Sequence, residues 1–309
     1  MLALSKSKNK FIRIIYCLYI TYAYNILKSI IYRIPIIIYN FLTYGIKLSF
    51  RKPTLPANVS VSYVIGSGSS LNTLSSEELD KINSSECTIG SGKLLIDDRI
   101  SPTHYISECA STYTKTLEYY SDFKKILCLR KNDILDMKIF IKLNNQFINP
   151  IRIIKLKNLF PKWTHRNIYF FFQCLTPHGS IENFKLQAGN KSLLKFFNFI
   201  GAPSACRSNN VLATMLCISF EHKKIYLVGN DGYTGYFADN TSKNEIFDSI
   251  ENKYIGDKNR VGALHSTYDV RYGSPTVDKC FQVLSECYKS IYVRNPSVIS
   301  RYIPNIDCI

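Results

Sequence analysis

The hydrophobic positions of this chain fall into two regimes. Up to residue 52 they run almost unbroken, from Ile14 to Leu27 and from Ile30 to Ile46, divided by Lys28, Arg33 and Pro35. After the linker-like Arg51-Lys52-Pro53-Thr54-Leu55-Pro56, short apolar runs alternate with amphipathic stretches, the rhythm of an α/β domain. The pattern predicts strands at 61–65, Thr88-Ile89, Leu94-Leu95-Ile96, Lys124 to Arg130, Ile151 to Lys155, Lys224 to Val228 and Ile291 to Val293. It predicts helices starting at the capping sequence Ser75-Ser76-Glu77-Glu78, and over Lys191 to Ile200, Val211 to Phe220 and Val277 to Lys289. Asn167 to Cys174 is an aromatic-rich apolar run. The expected organisation is a basic, apolar, membrane-associating segment, 1–52, followed by one domain, 53–309. Within that domain, 115–205 alternates less cleanly and is expected to supply a lid or acceptor side.

Charge changes the picture at the N-terminus. Of 39 Lys and Arg, nine lie in 1–52 with no Asp or Glu, leaving 39 − 9 = 30 basic against 23 acidic residues beyond. The formal net charge of +16 is therefore concentrated there. Neither apolar run reaches the roughly 20 residues that a spanning helix needs. The segment reads as a helix or helix pair lying on an anionic membrane surface, at the cytoplasmic face. Two rivals stand beside it: one merged span that buries Lys28 and Arg33, and a helical hairpin inside the domain. No zinc-finger or single-strand-binding signature accompanies the charge, so nucleic acid is not an expected partner. The ten cysteines show no CxxC pairing and read as reduced core residues, neither a disulfide framework nor a zinc site.

Candidate chemistry begins at Tyr63-Val64-Ile65-Gly66-Ser67-Gly68-Ser69-Ser70-Leu71, a buried strand running into a glycine- and serine-rich turn. Gly66 and Gly68 allow close backbone approach to a charged group, and Ser67, Ser69 and Ser70 are donors. The third glycine of a dinucleotide fingerprint and the Gly-Lys-Ser/Thr ending of a P-loop are both absent. Far along the chain, Ile225-Tyr226-Leu227-Val228 ends in Gly229-Asn230-Asp231, at the carboxyl edge where open α/β sheets place ligands. The two elements would meet across a Rossmann-like, mostly parallel sheet.

Together with Tyr233, Tyr236 and Leu264-His265-Ser266, these blocks resemble the bacterial sialyltransferases of glycosyltransferase family forty-two. The resemblance spans roughly 60 to 300 and is strong in three short blocks. It implies a GT-A variant fold, a CMP-activated sialic acid or related nonulosonic acid as donor, and a glycan or glycolipid acceptor. Transfer would be inverting and metal-independent, with no cofactor. By position, Gly66 to Ser70 would contact CMP, Tyr233 and Tyr236 would hydrogen-bond the departing phosphate, and His265 would be the general base. Growing negative charge on a leaving phosphate calls for donors, and a histidine with its ordinary pKa of about 6.5 suits removal of a hydroxyl proton. The chain departs from the family at Ser67 and Ser91, where asparagine is usual, and at Arg207-Ser208-Asn209-Asn210, where a Ser-Gly pair precedes the helix. Asn209 and Asn210 remain donors for a sugar carboxylate or ribose, with Arg207 as a charge partner.

Each of these residues also has a purely structural reading, Asp231 most directly as a cap for loop N–H groups. Two other functions compete. Asp97-Asp98 after Leu94-Leu95-Ile96 could hold a divalent ion beneath a UDP- or GDP-sugar, although Asp98-Arg99 reads equally as an ion pair. The missing asparagines also fit a non-catalytic membrane-bound protein that binds a nucleotide or glycan. Oligomeric state is open.

Overall fold

The computed structural model of the 309-residue chain describes residues 54–110, 112–144, 149–172, 181–199, 208–232, 275–294 and 301–306, together with Ile12, Phe147 and Ile309. The strands are β1 (Val61–Ile65), β2 (Cys87–Ser91), β3 (His104–Glu108), β4 (Lys138–Leu143), β5 (Ile168–Phe172), β6 (Lys224–Val228), β7 (Ile291–Arg294) and β8 (Asn305–Ile306). The helices are α1 (Ser76–Asn83), α2 (Tyr113–Leu129), α3 (Pro150–Asn158), α4 (Ile181–Ala188), α5 (Lys191–Phe199), α6 (Asn209–Ser219) and α7 (Val277–Cys287).

All eight strands pair in parallel in the order β5-β4-β3-β2-β1-β6-β7-β8. The chain winds outward from β1 to β5, crosses back through α4, α5 and α6, and adds β6 on the other side of β1. This is a doubly wound sheet whose topological switch point lies between β1 and β6. Because the strands alternate faces, each supplies two cores. Tyr63, Ile65, Tyr105, Ile139, Ile141 and Phe170 pack under α1, α2 and α3. Val64, Ile89, Ile106, Phe140, Ile225, Leu227 and Val293 pack under α4 to α7.

Helix α6 is buried on every side from Val211 to Ser219, as expected for a helix sandwiched between the sheet and other helices. Each Leu, Ile or Val that it buries contributes about 1.5–3 kcal/mol. Helix α1 starts with the capping box that its sequence announces: Ser75 accepts from Glu78 N, and Glu78 accepts from Ser75 N at 2.9 Å.

Three expected strands are helical. Lys124 to Arg130 belongs to the end of α2, whose buried Thr116, Tyr120, Phe123 and Leu127 repeat at helical spacing over a window longer than the apolar run alone. Ile151 to Lys155 lies in α3, started by Asn149 accepting from Ile151 N and by Pro150 in the first turn, where its missing N–H costs nothing. Leu94-Leu95-Ile96 forms a 3-10 turn with all three side chains buried. Strands β3 and β4 lack a clean alternation in sequence because both their faces are covered. The portion 115–205 contributes β4 and β5 to the central sheet. Among the described residues no helix is long and apolar enough to cross a membrane, and 1–52 lies outside them apart from Ile12.

Candidate functional site

The carboxyl ends of β1 and β6 are joined to each other directly. Gly66 N donates to Val228 O and Gly68 N to Gly229 O, each at 2.9 Å. A Cβ on Gly66 would stand 2.3 Å from Gly229 O, and one on Gly68 would stand 2.5 Å from the Asp231 side chain. Gly229 itself takes φ +64, the left-handed region, with Leu71 packed 2.8 Å from where its Cβ would be. The close approach of the second turn is by itself enough to require these glycines. Gly66→Ala is expected to cost about 3 kcal/mol or more, since the clash is with backbone. Ser67→Ala, at a half-buried neighbour, should stay within about 0.5 kcal/mol of wild type. Urea unfolding midpoints check the pair.

Asp231 organises the serine turn. Its carboxylate accepts from Ser70 N at 2.8 Å, from Ser69 Oγ at 3.3 Å and from Ser70 Oγ. Burial pushes its pKa up, and the hydrogen bonds from Ser70 and Ser69 oppose that rise. Beside it a second network crosses four elements: Ser91 Oγ donates to Asn210 Oδ1, Asn210 Nδ2 donates to Asn230 Oδ1, and Asn230 Nδ2 donates to Val64 O and Val228 O. It ties β2 and β6 to the first turn of α6, whose N-cap Ser208 accepts from Asn210 N at 3.1 Å.

The structure thus divides the predicted site residues. Gly66, Gly68, Ser69, Ser70, Ser91, Asn210, Gly229, Asn230 and Asp231 form the frame, with their polar groups turned on one another. Ser67 and Asn209 remain for a ligand: Ser67 is half-buried, and Asn209 Oδ1 is buried without a hydrogen-bond partner. Gly92 and Ser208 were not predicted. Gly92, at φ +66, keeps a Cβ from standing 3.1 Å from Ser67 Oγ, and a glycine two residues after another strand glycine was the available signal. Beside Gly92 lies a small, mainly apolar recess of about 20 Å³, lined by Leu95, Ile96, Tyr105, Tyr119 and Phe123 among others.

Arg207, Tyr233, Tyr236 and His265 lie outside the described residues. Asp97 is buried and gripped by Arg99, Nε to Oδ1 at 2.8 Å and Nη2 to Oδ2 at 2.7 Å. Arg130, itself fully buried, holds the same loop through the carbonyls of Leu95, Asp97 and Ile100. Asp97 is thus the ion-pair partner of Arg99 within this loop.

The sequence matches no family model and no curated protein. Among solved structures, the chain is similar to the sialyltransferase CstII from Campylobacter jejuni in complex with cytidine-5'-monophosphate, a substrate analogue, at 15% identity and TM-score 0.41 over 81% of this chain and 86% of that one. It is also similar to the MAf glycosyltransferase from Magnetospirillum magneticum AMB-1, at 13% identity and TM-score 0.33 over 64% of this chain and 27% of that one.

Proposed function

We propose that this protein is a glycosyltransferase that moves sialic acid or a related nonulosonic acid from a CMP-activated donor to a glycan or glycolipid acceptor, inverting and without a metal. The observation that carries the reading is the direct union of the Gly66–Ser70 turn with Gly229–Asp231 at the switch point of a doubly wound parallel sheet. Two of the three blocks that resemble the sialyltransferases, 162 residues apart in sequence, are adjacent there. The first turn of the buried helix α6 joins them through Asn210, and its N-terminus favours a phosphate or carboxylate. In this reading Ser67 and the helix N-terminus meet the donor's anionic groups, and Asn209 Oδ1 accepts from a ribose or sugar hydroxyl. Arg207 adds charge, Tyr233 and Tyr236 donate to the leaving phosphate, and His265 takes the acceptor proton. Residues 1–52, with nine cations and no acids, hold the enzyme at the cytoplasmic face of a membrane, near a lipid-linked acceptor.

Titration calorimetry of the full chain in chelator is expected to show cytidine monophosphate binding in preference to uridine and guanosine nucleotides. Equal affinity for all three, or binding only with magnesium or manganese, overturns the donor assignment. Cytidine binding with no transfer to any glycan would leave a binding protein in place of an enzyme.

A further inference from the structure

At the opposite, amino-terminal end of the sheet, three side chains converge that no sequence spacing announces. Cys87 opens β2, Cys217 lies near the end of α6, and His222 stands in the turn between α6 and β6. One ligand atom from each lies within 4.8 Å of the other two. Both cysteines are 0% exposed and His222 is 4% exposed. The turn is held in an uncommon shape: Glu221 takes φ +65, His222 N donates to Cys217 O at 3.1 Å, and Lys223 N donates to Val59 O at 2.9 Å.

The imidazole is already oriented. Its Nε2 is 2.8 Å from Pro56 O, and because a carbonyl only accepts, Nε2 must carry the proton. Nδ1 is buried and turned toward the Cys217 thiol. Donation of one ring nitrogen to a backbone carbonyl, leaving the other as a bare donor beside thiols, is how metal-bound histidines are positioned.

We propose that Cys87, Cys217 and His222 form a structural zinc site that pins β2, α6 and the start of β6 together. The donor set is the sulfur and nitrogen set that zinc prefers. Tetrahedral geometry at a Zn–S bond of about 2.3 Å places ligand atoms roughly 3.8 Å apart, inside the observed limit. Two thiolates, a neutral imidazole and Zn²⁺ sum to zero charge, which a dry interior tolerates, whereas Cu⁺ would leave one uncompensated negative charge. The three residues leave one tetrahedral position for a small fourth ligand.

The test uses untagged full-length protein produced in cadmium-supplemented medium and kept reduced, cadmium standing in for zinc with an ultraviolet sulfur-to-metal absorption. About one equivalent of cadmium, with that absorption, is expected in wild type, exchangeable for zinc. Both should be lost in Cys87→Ala and Cys217→Ala and weakened in His222→Gln. Wild-type protein with no bound cadmium and no absorption overturns the site whatever the variants do. Absorption that survives all three substitutions also overturns it, by placing the metal on other cysteines.

Discussion

His265→Ala is expected to lower turnover by about 10²–10⁴-fold, the usual consequence of losing a general base, while cytidine nucleotide binding stays nearly unchanged. Besides the resemblance at Leu264-His265-Ser266, the topology narrows the candidates. Of the five histidines, His104 opens β3, His165 precedes β5 and His222 precedes β6, all at the amino ends of strands and away from the carboxyl edge. Burial also pushes the His104 pKa down to about 3 and leaves it 4% exposed. The remaining two, His178 and His265, follow β5 and β6 in the chain. Strand β5 is the far edge of the sheet, whereas β6 adjoins β1 at the switch point. His265 therefore belongs to the connection that leaves from beside the candidate site and returns to α7. The acid limb of the pH–rate profile should disappear in His265→Ala and persist in His178→Ala. The opposite result would assign the base to His178.

Arg294→Met is expected to destabilise the fold by about 3–5 kcal/mol, measured by denaturant unfolding, because it strands a buried carboxylate. Arg294 at the end of β7 donates to Glu78 through Nε at 2.7 Å and Nη2 at 2.9 Å, and to Thr73 Oγ1 and Thr73 O, each at 2.9 Å. Glu78 also caps α1 and accepts from Ile309 N at 3.2 Å. One ion pair thus secures the 3-10 turn Ser69–Thr73, which carries the serines of the candidate site, to the far side of the sheet. Glu78→Gln keeps an acceptor and should cost less than Arg294→Met. The pair also shapes acid stability. Burial raises the Glu78 pKa, but Arg294 and the backbone N–H groups of Ser75 and Ile309 outweigh it and hold it below 4.5. A depressed carboxylate contributes stability above its unfolded value, and that contribution disappears as the pH falls below 4.5 through the folded pKa. Asp231 has the opposite sign. Its raised pKa favours folding below 3.8 and the benefit is lost as the pH rises through the folded value. Arg294→Met should therefore flatten the acid-side loss of stability that Glu78 causes and, because the Arg294 charge also holds the Asp231 pKa down, strengthen the Asp231 trend.

Local chemistry made several elements legible in the sequence. The Ser75–Glu78 capping box located the start of α1, and the glycine- and asparagine-bearing ends of β1 and β6 located the carboxyl edge, because caps and turns depend on residues a few positions apart. Lys124 to Arg130 and Ile151 to Lys155 read as strands in sequence because segments of five to seven residues are too short to display a helical period. Their helical character is visible only with the caps Thr112 and Asn149 included. The amphipathic sheet positions were equally mute, since a strand covered on both faces carries no alternation.

The sequence by itself determined that an α/β domain follows a basic apolar segment and that two glycine-bearing strand ends hold the polar groups of interest. Only the tertiary structure decided what those groups do. The Cβ-free faces of Gly66 and Gly68 are filled by Gly229 and Asp231, each 163 residues further along the chain, and the Ser69 and Ser70 hydroxyls are spent on Asp231. Likewise Cys87, Cys217 and His222 become neighbours only when α6 docks on the face of the sheet. Hydrogen bonds and ligand sets of this kind depend on distances between strands brought together by chain crossover. No spacing along the chain encodes those distances, because parallel pairing joins residues whose separation is set by whatever lies between them.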